Sequence, residues 1–207
     1  MSRPAVARRG RDGAETRARI ETESLRLFAS KGVDGTSVRD IAQAVGVAEG
    51  ALYRHFASKE ALARELFLGR YAELARAIGE VAHEVPDFAG RIRAVTGHAC
   101  RLFDDEPALF AYLLISQHDH LGAVPLIASE NVVEALAGLL REGILRGELP
   151  EQDVALASAL ALGCVVQPAV FVLYGRLEGP LMRHRERITQ AVLSVLGGVR
   201  ERSGGTG

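Results

Sequence analysis

The sequence predicts an all-α fold of about nine helices, split into a small N-terminal module and a larger C-terminal helical domain. Three observations predict it. Apolar residues recur at helical spacing nearly throughout. No strand-like alternation persists, and no Asp-Gly pair joins two β-branched runs; Asp34-Gly35 lies between helical patterns. Finally, Pro86, Pro107, Pro125, Pro150 and Pro180 each stand near the start of a fresh amphipathic stretch. Proline is tolerated there because the N–H it lacks would be unpaired in a first helical turn. A length of 207 residues suits one module of about 50–70 residues plus a larger helical domain.

Taken in order, residues 1–13 read as a flexible basic arm, with Arg3, Arg8, Arg9 and Arg11 ahead of the first acid, Asp12. A first helix runs from about Gly13 to Lys31, with Ile20, Leu27 and Phe28 as its buried stripe and Gly32 as a left-handed stop. A second runs from about Ser37 to Ala44, capped by Thr36 or Ser37. Val38, Ile41, Ala42 and Val45 form its apolar face, and Gly46 sits in a tight turn. A third runs from about Ala48 to His55, with Leu52 and Phe56 inward. Ser58 caps a fourth that continues to about Glu84. Further helices are expected over 86–104, 107–117, 125–146, 151–175 and 180–199, and residues 203–207 form a tail. The domains are then 14–74 and 75–202.

Composition narrows the class. Apolar residues are 48% and charged residues 25%, which fits a soluble globular chain and is too apolar for a disordered one. The net charge is −1, yet residues 1–60 hold 11 basic against 8 acidic side chains, and the remainder 14 against 18. The field is positive at the N-terminal end and negative beyond it. Cys100 and Cys164 form no metal-knuckle spacing and read as small buried apolar residues. No apolar signal-peptide stretch opens the chain, so the expected compartment is the cytoplasm, with nucleoid association when DNA is bound. Val154 to Tyr174 carries no charge and is long enough to cross a bilayer. It has two readings, a membrane span or a helix buried on several sides. Ser158, Gln167 and Pro168 interrupt it and favour the second, so no membrane is expected.

Segment 37–56, SVRDIAQAVGVAEGALYRHF, pairs two short helices across a glycine-containing turn, which is a helix-turn-helix. Its second helix presents Glu49, Gly50, Tyr53 and Arg54 outward, and small side chains at Ala48, Gly50 and Ala51 would let the backbone approach base edges in a major groove about 12 Å wide. Residues 32–62, GVDGTSVRDIAQAVGVAEGALYRHFASKEAL, together with the preceding RARIETESLRLFASK, resemble the DNA-binding signature of the TetR family of transcriptional regulators. The resemblance covers about residues 14–67. It implies that Ala48, Glu49, Gly50 and Ala51 face bases, and that Tyr53, Arg54 or His55, and Lys59 hold phosphates, with Thr36, Ser37 and Arg17 as further phosphate contacts. The sequence departs from the family at Ala48, where serine is frequent, and at Glu49, where a basic residue is common. Glu49 would repel phosphate but can accept from a cytosine N4 amine.

The resemblance also implies a C-terminal domain that dimerises and binds a small effector, in a repressor that meets a palindromic duplex operator as a homodimer. The uncharged run 154–174, with Ala155, Ala157, Ala159, Ala161 and Gly163, could pack with 180–196 into an intersubunit four-helix bundle. Pro168 is expected to kink it. An apolar pocket is expected to be lined by Phe103, Phe110, Leu114, Gln117, Phe171 and Tyr174. Two other classes fit less well. The run Gln117-His118-Asp119-His120 could ligate a metal only from a loop, since on a helix the two histidines point apart. No glycine-rich phosphate loop, G-x-S-x-G elbow or H-E-x-x-H motif argues for an enzyme, and no cofactor is expected.

Overall fold

The computed structural model describes residues 5–197, with side chains from residue 13 onward. Among the described residues there are nine α-helices, two short 3₁₀ turns and no strand. The helices are α1 (Ala5–Lys31), α2 (Val38–Val45), α3 (Glu49–Leu52), α4 (Lys59–His83), α5 (Phe88–Asp105), α6 (Pro107–His120), α7 (Val132–Leu145), α8 (Val154–Leu173) and α9 (Arg185–Val195). The 3₁₀ turns are Leu121–Ala123 and Leu181–His184.

Boundaries differ from expectation where a local hydrogen bond outweighs pattern. α1 begins at Ala5 rather than about Gly13, so most of the expected arm is helical. Alanine and arginine favour helix there, and a glycine costs only about 1 kcal/mol, too little to stop it. Residues 1–4 of that arm, and the expected tail 203–207, lie outside the described residues. α3 ends at Leu52; the amides of His55 and Phe56 both donate to the Leu52 carbonyl, at 2.9 Å each, and close the chain as a turn. α7 begins at Val132 rather than near Pro125. Asn131 is the reason: its Oδ1 accepts from the amides of Val133 (2.9 Å) and Glu134 (3.3 Å), while its Nδ2 donates to the Pro125 carbonyl at 3.1 Å. That side chain ends the loop and starts the helix at once. α8 runs on through Pro168, where the ring removes the bond that residue 168 would donate to the Cys164 carbonyl.

The chain divides into two compact units. The first takes residues up to Gly69 together with Ala108–Ala123; the second takes Arg70–Pro107 and Val124 onward. Thus α6 belongs mainly with the N-terminal helices and not with the C-terminal domain, where the sequence pattern places it. Tyr112 explains this. It is fully buried, its ring stacks on Phe28 with centroids 5.9 Å apart, and its hydroxyl donates to the Ala63 carbonyl at 2.5 Å. A buried hydroxyl must find an acceptor, and this one is fixed by the start of α4. Ile20, Ile41, Val45, Leu62 and Phe67 are also fully buried in this unit.

In the second unit Phe88, Ile92, Leu136, Leu140, Leu149, Ala157, Ala161, Val192 and Leu196 form one cluster, and Ala75, Ile78, Val132 and Ala135 another. Gly143 is required by a close approach: a Cβ there would lie 2.7 Å from the Phe88 ring. Buried Glu148 accepts from the Phe88 amide at 2.7 Å, and Asp104 accepts from the amides of Leu181 (2.7 Å) and Met182 (2.9 Å). Both carboxylates satisfy orphan donors at helix starts.

Candidate nucleic-acid interface

The first unit presents α2 and α3 as a rigid pair. Ser37 and Asp40 form a reciprocal cap. The Asp40 amide donates to Ser37 Oγ at 3.1 Å, and Asp40 Oδ2 accepts from the Ser37 amide at 2.9 Å and hydroxyl at 2.8 Å. These two bonds, the backbone one first, hold the Asp40 carboxyl below the usual carboxylate range, with help from Lys31 and Arg39. At the other end Gly46 takes a left-handed φ of 76°, which turns the chain toward α3. Ile41, Ala42, Val45, Leu52 and Phe56 are buried behind the turn. Arg19, on α1, donates to the Val45 carbonyl and fastens the same corner.

On the outer side Ala48, Glu49 and Gly50 are exposed at the tip of α3, and Tyr53 (57% exposed) and Arg54 stand one turn on. His55 is half-buried with its ring beside Phe56, and Ser37 is exposed at the start of α2. Nine of the expected residues therefore stay at or near the surface of this unit, but two assignments need correction. Ala51 is buried, because it shares the inward face of α3 with Leu52 and cannot meet a base. Thr36 is buried too, its hydroxyl donating to the Gly32 carbonyl at 2.8 Å, so it closes the α1–α2 turn rather than reaching a phosphate.

The Arg17 guanidinium bridges Glu21 (2.9 Å) and Glu65 (2.7 Å), donates to the His55 carbonyl at 3.3 Å and lies 4.4 Å from the centroid of the Phe56 ring. The Glu65 bond above all raises its pKa further. It is a clamp across α1, the turn after α3 and α4.

Lys59 is more constrained than expected. Its side chain is only 15% exposed, and its Nζ donates to the Val33 carbonyl at 2.7 Å and lies 3.8 Å from Glu60. An ammonium has three donors, so a phosphate can still share it. Arg39 and Gln43 are exposed on α2 as well. They lie opposite the apolar face of Ile41, Ala42 and Val45.

The six residues expected to line one pocket divide between the two units. Phe110, Leu114 and Gln117 belong to the first unit; Phe103, Phe171 and Tyr174 belong to the second. Phe103 and Phe110 are buried core, whereas Phe171 and Tyr174 are exposed. The second unit holds a cleft of about 770 Å³ between the C-terminal half of α4 and α7. Ala75, Gly79, Gly138 and Leu139 line it with small apolar surface, and Arg76, Glu80, His83, Glu84 and Glu142 add charge. Arg91 pairs with Glu142 at 2.8 Å and holds that carboxyl below its ordinary range.

α6 stays helical through His120, so His118 and His120 diverge; His118 is exposed, and the His120 ring lies 5.3 Å from that of Phe67. Among the described residues no group of three or more His, Cys, Asp or Glu is placed to hold a metal. Burial and the Asp104 carboxylate push the Cys100 thiol up to about 11, away from thiolate chemistry.

Comparison with known proteins bears on both units. Residues 22–66 match the profile described as bacterial regulatory proteins of the TetR family. The crystal structure of the TetR family transcriptional regulator PfmR from Thermus thermophilus superposes with a TM-score of 0.67 and 31% identity, over 88% of this chain and all of that one. The transcriptional regulator TtgR of Pseudomonas putida is 28% identical over 173 residues, covering 73% of this chain and 79% of TtgR. The regulator YerO of Bacillus subtilis is 47% identical over 58 residues, which is 27% of this chain and only 20% of YerO. The profile match thus spans the segment that carries α2 and α3.

Proposed function

The chain belongs to the TetR family of bacterial regulatory proteins, and from that premise we propose that it is a transcriptional repressor: a cytoplasmic homodimer that grips a palindromic duplex operator and releases it when a small apolar or amphipathic molecule binds the second unit. One observation carries the DNA reading. α3 offers an exposed tip of small residues, Ala48 and Gly50 beside Glu49, on a base of buried Ile41, Val45, Leu52 and Phe56. A rigid helix with a low-profile tip can meet base edges, while Ser37, Tyr53, Arg54, His55 and Lys59 hold the backbone on either side.

The dimer is supported by α8. It is the one helix among the described residues long and apolar enough to cross a membrane, yet only 22% of its most apolar stretch is buried within one chain. Leu156, Leu160 and Phe171 are exposed along it. A second copy of the same face, related by a twofold axis, would cover this surface and set two α3 helices against inverted half-sites. The cleft beside α4 and α7, with its small apolar lining and charged rim, fits an amphipathic ligand. α4 contributes residues to both units, so a ligand that favours one tilt of that helix would disfavour the DNA-bound arrangement.

The test is binding to duplexes from the gene's own promoter region across a salt series. Log affinity should fall linearly with log salt, in proportion to the phosphates neutralised. Absence of salt-dependent binding to any duplex, including those drawn from a random pool, would overturn the reading. Calorimetry of an effector with and without operator then tests release: a coupling of about 1–3 kcal/mol corresponds to roughly 5–150-fold in both directions. Equal effector affinity in the two titrations rules release out for that molecule.

A further inference from the structure

We propose that Glu49 makes each half-site carry a cytosine opposite the start of α3, and that Gly50 lets the helix backbone come close enough for that carboxylate to reach it. The proposal rests on the reading of α2 and α3 as the DNA-reading element. Its starting point is charge. Between Ser37 and Ser58 the sequence holds two acids, Asp40 and Glu49. Asp40 is committed to Ser37, whose amide and hydroxyl it accepts at 2.9 and 2.8 Å. Glu49 is exposed at the tip and makes no hydrogen bond or ion pair among the described residues. It is the acid of this face that is open to an outside donor.

Near phosphates an unmatched carboxylate is repelled, so Glu49 disfavours every duplex that offers it nothing. An ionised carboxylate only accepts hydrogen bonds. In the major groove guanine shows two acceptors and thymine an acceptor and a methyl group. Adenine shows its N6 amine directly beside the N7 acceptor, whose lone pair opposes a carboxylate. Cytosine shows the N4 amine with no acceptor on the same base edge. The sign of the charge therefore excludes guanine and thymine, and the neighbouring N7 acceptor disfavours adenine against cytosine.

Gly50 is an independent observation. Its φ is not in the left-handed region, and a Cβ built on it meets nothing within 4 Å. Neither backbone nor packing in this chain requires glycine there, and glycine weakens a helix relative to alanine. A base edge in van der Waals contact with that helix would use the absence of a side chain there, since such contact leaves no room for a methyl group. Glu49 is the adjacent residue, so close approach at Gly50 brings its side chain within reach of the groove floor.

The experiment selects bound sites from random duplexes with the full chain and with Glu49→Gln, Glu49→Ala and Gly50→Ala. The wild-type protein should return cytosine at one position of each half-site, and guanine or thymine there should weaken binding about 5–10-fold, the low end for a direct base contact. Glu49→Gln should move that position toward adenine, because an amide can pair with N6 and N7 together. Glu49→Ala should flatten it and leave other positions unchanged. Gly50→Ala should raise the melting temperature and lower affinity for every selected site. If both Glu49 variants bind all duplexes more tightly with an unchanged base profile, Glu49 is only a repulsive charge and the proposal fails. If Gly50→Ala binds as the wild type does, the close approach fails. A wild-type protein that selects no sequence overturns the DNA reading itself, a result distinct from either.

Discussion

α2 and α8 solve opposite problems. α2 is eight residues long, with Ile41, Ala42 and Val45 buried and Arg39 and Gln43 exposed. Its sequence alone says which side faces inward, because the other side is polar. α8 is twenty residues long and apolar nearly all round, so its sequence gives no preferred side. Within one chain Ala157, Ser158, Ala161 and Ala169 are buried, while Leu156, Leu160 and Phe171 are left uncovered. A one-sided helix is finished by its own chain. A helix apolar on all sides needs cover from elsewhere, and the small residues that pack it inward leave the large ones outward.

The sharpest way to break this contrast is to hollow out the base of α3. Phe56→Ala removes a buried ring that also faces Arg17, and should cost about 3–5 kcal/mol, read as a fall in melting temperature with loss of DNA binding. A loss under about 1 kcal/mol would mean that the unit is not packed as described. Next comes the uncovered face. Leu160→Arg sets a charge on the exposed side of α8; if a second copy covers that side, dimer affinity should fall by about 2 kcal/mol or more while the monomer keeps its helix content. Sedimentation checks this, and an unchanged dimer would place the interface elsewhere.

Two smaller effects sharpen the picture of the reading surface. Arg54 is exposed, so Arg54→Ala should leave stability nearly unchanged and reduce the salt slope by about one unit. Lys59→Ala should reduce the slope and also loosen the α1–α2 turn, because it removes the donor to Val33. If the two variants melt at the same temperature, the Lys59–Val33 bond contributes nothing. The smallest effect is at acid pH. The folded state lowers the pKa of Asp40, so its cap contributes stability above about pH 4 and loses it as pH falls through the depressed value. Asp40→Asn should flatten that part of the stability curve, as urea melts across pH 2–6 can show (about the range where carboxylates titrate).

The reading surface was legible because its determinants are local. Ser37 and Asp40 stand three apart, Gly46 marks a left-handed turn, and Ile41 and Val45 share one face within a single helix. Where a specific partner or the packed face decides, pattern was not enough. Thr36 looked like a surface hydroxyl, yet the Gly32 carbonyl takes it; Ala51 looked like a small outward residue, yet it faces the core with Leu52. Arg17 looked like a free cation until Glu65, far along the chain, met it. The residues of the expected pocket divide between the units, which apolar spacing does not foretell. Apolar spacing marks Phe103 and Phe110 as helix-face residues, but it does not tell which unit covers them, and Tyr112 anchors α6 to the first.

Lysine is rare in this chain: basic charge is carried almost wholly by arginine, with lysine only at positions 31 and 59. Lys31 is exposed at the end of α1, whereas the Lys59 amine is turned inward onto Val33. An amine-directed acylating reagent therefore meets one accessible side-chain target and one that is shielded. Lys59 reacts in the moments when its amine leaves the Val33 carbonyl, since acylation requires the uncharged, unbonded amine. Its labelling rate relative to Lys31 becomes a clock for that local opening, set inside the DNA-reading unit by the protein's own composition.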